Sequence, residues 1–426
     1  MSFKNAGKNK LLVVLLAIAV TMAFSTAIDT SPASAATYPT YTISTTSSPC
    51  NKTFKKFTTY NSKTKHYYLL RSYMEKFEKK GGGTLILNAG TYNIPVTVYI
   101  PKNVTIIFRD GVVLNKTFST GTRKVAPSYA MFMLCAPAKA KKANSYKAGK
   151  YKYGYKQYNG VRNVNITGEG SVTLNMRSLK YGMGFMLCHN KNINISGISF
   201  INMNRGHFIE MDASYNVKVS GCSFANASTV YTQADRAKEA INLDTPDLKT
   251  GGFNAPWSSF DKTANDTITI DSCTFTNLYR SVGTHNYSLG HPHKYVTVSN
   301  CTITDMKCDA ISAMYWYHPT IINNTIANVT RNSMNFRGII GPGTIEPTII
   351  GNTFSNMNRV AQFYIYKDNG YGLVKPSFTS ENIENLASGN TYHDIGEDLI
   401  RINYYWNSNK NIPNWDLSSK ISIVDQ

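Results

Sequence analysis

The sequence predicts an all-β solenoid, a right-handed parallel β-helix with an N-terminal capping helix. Three observations carry that expectation. Short period-2 segments closing on Phe or Ile recur through the second half of the chain, and an Asn or Asp follows most of these closures at one fixed offset. The 426 residues include 28 Tyr and 29 Gly, with only 16% charged, which disfavours a helix bundle, while 42% hydrophobic residues can fill a sizeable core.

Taken in order, residues 1–35 read as an export signal. Lys4, Lys8 and Lys10 form a positive start, Leu11 to Phe24 is apolar, and Ala33-Ser34-Ala35 has the small residues of a cleavage site. The apolar run is short for a membrane span. The chain is therefore expected to be secreted and extracellular, with cell-wall association as an option and no membrane contact once the signal is removed. Losing three Lys and one Asp lowers the formal charge only from +20 to +18, so the basic character belongs to the mature protein.

Residues 36–62, rich in Thr, Ser and Tyr, read as an extended N-terminal arm, and residues 63–426 as the β-helix domain. Within His66–Lys80, the spacing of Tyr68, Leu69, Tyr73, Met74 and Phe77 suits one amphipathic helix, which Gly81-Gly82-Gly83 ends. Thr84 to Ile94 and Val96 to Ile107 then read as short strands.

The repeats follow. Ile193-Asn-Ile-Ser-Gly-Ile-Ser-Phe200, Val217-Lys-Val-Ser-Gly-Cys-Ser-Phe224, Ile268-Thr-Ile-Asp-Ser-Cys-Thr-Phe275 and Val296-Thr-Val-Ser-Asn-Cys-Thr-Ile303 align, as do the segments closing at Ile326 and Phe354. The closures are 24, 51, 28, 23 and 28 residues apart, and Asn202, Asn226, Asn277, Asp305, Asn328 and Asn356 follow two places later. Twenty-odd-residue coils of this kind bury inward side chains only against the coils above and below. Two places before each closure stand Ile198, Cys222, Cys273, Cys301, Asn324 and Asn352, read as an inward ladder. Its three thiols are expected to be reduced and buried; the odd total of 7 Cys and the lack of CxxC argue against a redox or zinc framework. Two stretches break the period, 118–160, where Lys and Tyr interleave, and 227–265, with Trp257 and Phe260; both are expected as loops walling a binding face.

Gly81-Gly-Gly-Thr-Leu-Ile-Leu-Asn-Ala-Gly-Thr-Tyr-Asn-Ile94, followed by Ile100-Pro-Lys-Asn-Val-Thr-Ile106, resembles the N-terminal cap and first coils of the pectate-lyase-like, single-stranded right-handed β-helix superfamily. With the repeats, the resemblance covers roughly residues 60–400. It implies the fold and a polysaccharide-related role: most members of known activity cut polysaccharides as lyases or glycoside hydrolases, and others are phage tailspikes or adhesins. The polygalacturonase series of Asn-x-Asp, Asp-Asp, Gly-His-Gly and Arg-x-Lys is missing, as is a clear pectate-lyase calcium and arginine motif, so pectin is not implied.

Candidate site residues come from aligning the second strand of each coil on Ile241, Val282, Ile311, Met334 and Val360. Two places earlier stand Glu239, Arg280, Asp309, Asn332 and Asn358; three places later stand Asp244, His285, Met314, Arg337 and Phe363, with Asp212 one coil before. Glu239 and Asp309, two coils or about 9.6 Å apart, suit the acid and base of an inverting hydrolase, whereas Asp212 with Asp244 suits the shorter spacing of a retaining one. The bland alternative is a salt-bridged stack of Glu239, Arg280 and Asp309 that holds the coils in register. Asp244 and His285 could support or replace a catalytic acid; Asp244 and Asp247 flank a Pro turn and could equally be turn residues or calcium ligands. Arg280, Arg337, Asp247 and His293 are candidate substrate-binding residues, and Trp257, Tyr287, Tyr315, Trp316 and Tyr317 could stack on sugar rings. The spacing of His291 and His293 is too weak a motif for a metal centre, and none is expected.

The composite expectation is a secreted polysaccharide-cleaving enzyme, hydrolase preferred over lyase because the polar face is carboxylate-rich. No cofactor is expected, except calcium if the chain is a lyase acting on a uronate. A non-catalytic glycan-binding adhesin is the reading from another class. The Lys/Tyr stretch is suited to an anionic glycan or cell-wall polyanion; no specific nucleic-acid partner is expected.

Overall fold

The computed structural model describes residues 38–228, 238–329, 337–367, 372–397, 399–417 and 419–422. The expected export signal lies outside them. Period-2 alternation dictates the local structure: in Tyr215–Ser220, Val217 and Val219 are buried while Lys218 is exposed. Such strands form three sheets of 11, 11 and 10 strands among the described residues, and each sheet takes every third strand of the chain. The coil of Tyr215–Ser220, Ser223–Ala227 and Glu239–Asp244 lies in parallel register on that of Asp266–Asp271, Thr274–Thr276 and Arg280–Gly283, pairing Val217 with Ile268, Phe224 with Phe275 and Ile241 with Val282. The architecture is a parallel β-helix.

Stacking inside the coils follows the aligned repeats. Phe200, Phe224 and Phe275 stack with centroids 4.7 and 4.8 Å apart and planes within 9°, the spacing of neighbouring strands. Cys222, Cys273 and Cys301 are buried and free, and their thiols donate to the carbonyls of Ser220, Asp271 and Ser299. The ladder then becomes amide: Asn324 Nδ2 donates to Asn352 Oδ1, and Asn352 Nδ2 to Asn390 Oδ1, both at 2.9 Å. At the turns, Asn202, Asn226, Asn277, Asp305, Asn328 and Asn356 all take φ between 52° and 65°, the left-handed region that Asn and Asp tolerate best after Gly.

The capping helix spans Lys65–Lys80 and ends on Gly81, whose φ of 82° makes a left-handed C-cap. It buries Leu69, Leu70, Met74 and Phe77 over the first coils. The segment expected as an extended arm is instead built into the first sheet from residue 40. Thr40–Ile43 pairs in parallel with Gly83–Leu87 and buries Ile43, and the turn Lys52–Lys56 buries Phe54. An open first strand would leave a row of unpaired backbone groups, and this added strand covers it. Among the described residues no helix is long and apolar enough to cross a membrane.

The third sheet corrects part of the strand alignment. Ile311 pairs with Ile339, and Ile339 with Ala361, in place of Met334 and Val360; Met334 and Asn332 lie outside the described residues. Arg337 pairs with Arg359. Arg337 therefore continues the column of Glu239, Arg280 and Asp309, and does not share that of Asp244 and His285. Connections between sheets vary in length, so counting from one strand does not fix the register of the next.

Candidate active site

The site grows from the outward face of the third sheet. In Ile209–Asp212 and Glu239–Asp244 the core takes Ile209, Met211, Ile241 and Leu243, and alternation turns Glu210, Asp212, Asn242 and Asp244 the other way. Glu210 lies in register with Asn242, and Asp212 with Asp244. All four are buried nonetheless, and Gly252 of the second insertion packs directly against Asp244. Asn242 Nδ2 donates to Glu210 Oε1 at 2.9 Å. Asp244 accepts from the backbone N–H groups of His285 and Asn286 (3.2 and 2.9 Å) and from Asn286 Nδ2 (3.2 Å). Neither oxygen of Asp212 has a hydrogen-bond partner among the described residues, although the side chain is fully buried. Burial, reinforced by the charge of Asp244, pushes the Glu210 carboxyl well above the ordinary range. Burial followed by Glu210 and Asp244 does the same to Asp212.

His285 bridges this cluster to the next. Its Nδ1 lies 3.1 Å from Glu239 Oε2 and 3.0 Å from Asn242 Oδ1, both acceptors, so Nδ1 carries a proton; its Nε2 is 3.5 Å from Asp244 Oδ2. Burial would lower its pKa, but Asp244 and Glu239 overcome that and raise it to about 9. His207 stacks on it, centroids 5.5 Å apart, and its Nδ1 donates to the Glu239 carbonyl at 2.6 Å. Burial and the neighbouring His285 lower His207 to about 3. Glu239 has room to reach His285 because Gly283 lacks a side chain: a Cβ there would come within 3.1 Å of Glu239 Cγ and 2.6 Å of Ser312 Cβ.

Beyond His285 runs an alternating ion-pair column. Arg280 bonds Glu239 Oε1 at 3.1 Å and Asp309 Oδ2 at 3.2 Å, and Arg337 grips Asp309 through Nε (2.6 Å) and a second nitrogen (3.0 Å). Burial alone would raise both acids. The cations of His285 and Arg280 hold Glu239 well below the ordinary range, and those of Arg337 and Arg280 lower Asp309. The column opens to solvent along its basic edge, where the side chains of Arg280, Arg337 and His285 are 12%, 16% and 24% exposed.

Of the residues singled out from the sequence, the structure thus brings Glu239, Asp244, His285, Arg280, Asp309 and Arg337 into one network, and adds Glu210 and His207, which sequence reasoning did not select. Their signal was present: Ile209-Glu-Met-Asp212 repeats as Ile241-Asn-Leu-Asp244, the same two outward polar positions one coil apart. The remaining residues lie elsewhere. Asp247 is buried in its turn, accepting from Ser288 Oγ and the Lys249 N–H at 2.8 Å each. His293 is fully buried, its Nδ1 accepting from the Asn265 N–H, and burial lowers it to about 3. Trp257 is fully buried under the insertion against Phe253 and Tyr155, and so offers no ring to a sugar. Tyr287 and Tyr315 pack on each other at 5.1 Å, and Trp316 is buried with its indole N–H on Thr284 Oγ1. Tyr317 remains half-buried beside Tyr295 and His318. Aromatic residues in insertions serve here mainly to seal them onto the sheet, a role composition does not distinguish from sugar stacking.

The insertions close on each other. The Tyr155 N–H donates to the Trp257 carbonyl, the Ser259 N–H to the Tyr155 carbonyl, and the Gln157 N–H to Asp261 Oδ2. His189 pins both, with Nδ1 at the Gln157 carbonyl and Nε2 at Ser258 Oγ. Lys141, Lys142, Lys147, Lys150, Lys152 and Lys156 stay exposed on the outer side.

No protein-family model and no curated protein matches the chain. Solved structures do. PfbA, a surface adhesin of Streptococcus pneumoniae, is 15% identical over 79% of this chain and 80% of its own, with a TM-score of 0.59. The chain is a right-handed parallel β-helix protein. An exopolygalacturonase from Thermotoga maritima (10% identity, 79% and 85% coverage, TM-score 0.41) and the A-module of a mannuronan C-5 epimerase from Azotobacter vinelandii (10%, 78% and 90%, 0.38) are more distant likenesses. At these identities the likeness shows the fold alone.

Proposed function

We propose that this β-helix protein is a secreted carbohydrate-active enzyme that cleaves glycosidic bonds of a polysaccharide, with Asp212, Asp244 and Glu210 as its catalytic carboxylates. The observation that carries the reading is Asp212: a fully buried carboxyl without a partner, one coil from a carboxylate with three donors aimed at it. A fold gains nothing in stability from such a group. A glycosidase needs that asymmetry, a carboxyl kept protonated to serve the leaving oxygen beside a carboxylate kept ionised. Adjacent coils set the two about 4.8 Å apart at the backbone, near the 5–5.5 Å typical of a retaining hydrolase. In this reading a substrate first displaces the packing that buries both groups in the free protein; Asp212 then gives its proton to the leaving oxygen and Asp244 attacks or stabilises the anomeric carbon, while burial and the neighbouring Asp244 hold that proton until then. Glu239, Arg280, Asp309 and Arg337, already paired, position His285 and the edge of the sugar site.

The test is a panel of neutral and acidic polysaccharides scored for reducing ends and for near-ultraviolet absorbance, with and without calcium. Reducing ends without absorbance, lost in Asp212→Asn and Asp244→Asn, support the hydrolase. Absorbance that depends on calcium points to β-elimination on a uronate. The saturated ion pairs at Glu239 and Asp309 favour one other reading, a glycan-binding protein without turnover; capture of a glycan by wild type with no cleavage would establish it.

A further inference from the structure

Beside the three carboxylates lies a tighter constellation to which the proposed cleavage gives no chemical step of its own. One ligand atom from each of His207, Glu239 and His285 falls within 4.8 Å of the others. We propose that these three side chains form a binding site for a divalent transition-metal ion of the zinc type, spanning three successive coils against the carboxylate cluster. The inference holds whether or not the protein cleaves a glycan.

His207 is already arranged as a ligand. Its Nδ1 contact is to a backbone carbonyl, which can only accept, so the ring proton is on Nδ1 and the Nε2 lone pair is free. A ring N–H fixed on a carbonyl is the support that orients metal-binding imidazoles. Glu239 Oε2 lies against His285, and His207 Nε2 faces Glu210 Oε2 at 3.6 Å. All of these residues stand on or beside sheet strands, which keeps the set rigid.

Four carboxyl groups, Glu210, Asp212, Glu239 and Asp244, converge beside the set, and the cations facing them are His285, Lys238 and one face of Arg280, whose other face is taken by Asp309. The buried Asp212 oxygens have no hydrogen-bond donor among the described residues, which leaves an unpaired polar group beside the set. Two imidazoles and one carboxylate select zinc, iron, nickel or copper over magnesium and calcium, which prefer all-oxygen sets. Three protein ligands also leave a fourth position for water or a substrate oxygen. The exposed edge of His285 is the way in. On binding, the ion takes the place of the His285 proton, which is released to solvent.

Chelator-treated, dialysed protein titrated with Zn2+ by calorimetry is expected to take up one ion per chain. Co2+ is expected to give the intense visible bands of a four-coordinate site. His207→Gln and His285→Gln are each expected to weaken binding about 100-fold or more, with near-ultraviolet circular dichroism unchanged. If His207→Gln does not fold, the wild-type Co2+ spectrum decides: intense bands support the site, and the weak bands of an octahedral, all-oxygen set overturn it. Absence of stoichiometric Zn2+ binding, or binding that survives in the folded double variant, also overturns it.

Discussion

Asp212 separates stability from function more cleanly than any other residue. Removing a carboxyl that has no partner takes nothing from the fold, so Asp212→Asn should keep or raise the melting temperature while cutting cleavage about 10²-fold or more. Rates and thermal melts measured on one preparation check both halves, and a clear loss of melting temperature would mark the carboxyl as structural. His285 behaves in the opposite sense. Its pKa is raised from 6.5 to about 9 in the fold, so its stabilising effect is complete below about 6.5 and is lost as pH rises through 9. For chelator-treated protein we expect a decline of up to about 3 kcal/mol between these values. Denaturant melts across that window should show it in wild type, and His285→Gln should remove most of it.

Among elements, the ladders carry the coils. Asn352 stands between Asn324 and Asn390, and its Oδ1 accepts both the backbone N–H and the side-chain amide of Asn324. Asn352→Ala would leave buried groups unpaired on both sides, at about 1–3 kcal/mol for each, measurable by chemical denaturation and absent for the exposed ladder residue Asn356. These ladders explain why so much of the architecture was legible in the sequence. Inward residues meet their own kind one coil away, so Phe200, Phe224 and Phe275, or Cys222, Cys273 and Cys301, repeat visibly, and the left-handed turn that follows each closure is filled by an Asn or Asp. The third sheet was harder to read. Its strands follow connections of unequal length, so the columns held through Asp309 and then slipped, which put Arg337 beside His285 instead of beside Asp309. Contacts that cross coils, such as His207 on His285, leave no periodic trace at all. Nor does the choice between sealing an insertion and facing a sugar, which is why Trp257 and His293 proved to be interior.

At the scale of the molecule, charge and chemistry occupy different ground. A cluster of exposed Lys residues lies on the 118–160 insertion, while the site holds its acids and cations in near balance. Replacing Lys141, Lys142, Lys147, Lys150 and Lys152 with Gln should lower the salt needed to elute the protein from an immobilised polyuronate, with cleavage of a short soluble substrate unchanged. Elution unaffected by the change would assign the polyanion contact to another surface. The thiols add a consequence for how the protein can be made. All seven are free and all but Cys50 are buried, so no covalent cross-link contributes to the native state. The chain should mature identically in a reducing cytosol and in an oxidising exterior, without help from disulfide-forming enzymes. Its melting curve should be the same with and without a thiol reductant, which makes ordinary intracellular expression a fair source of native material.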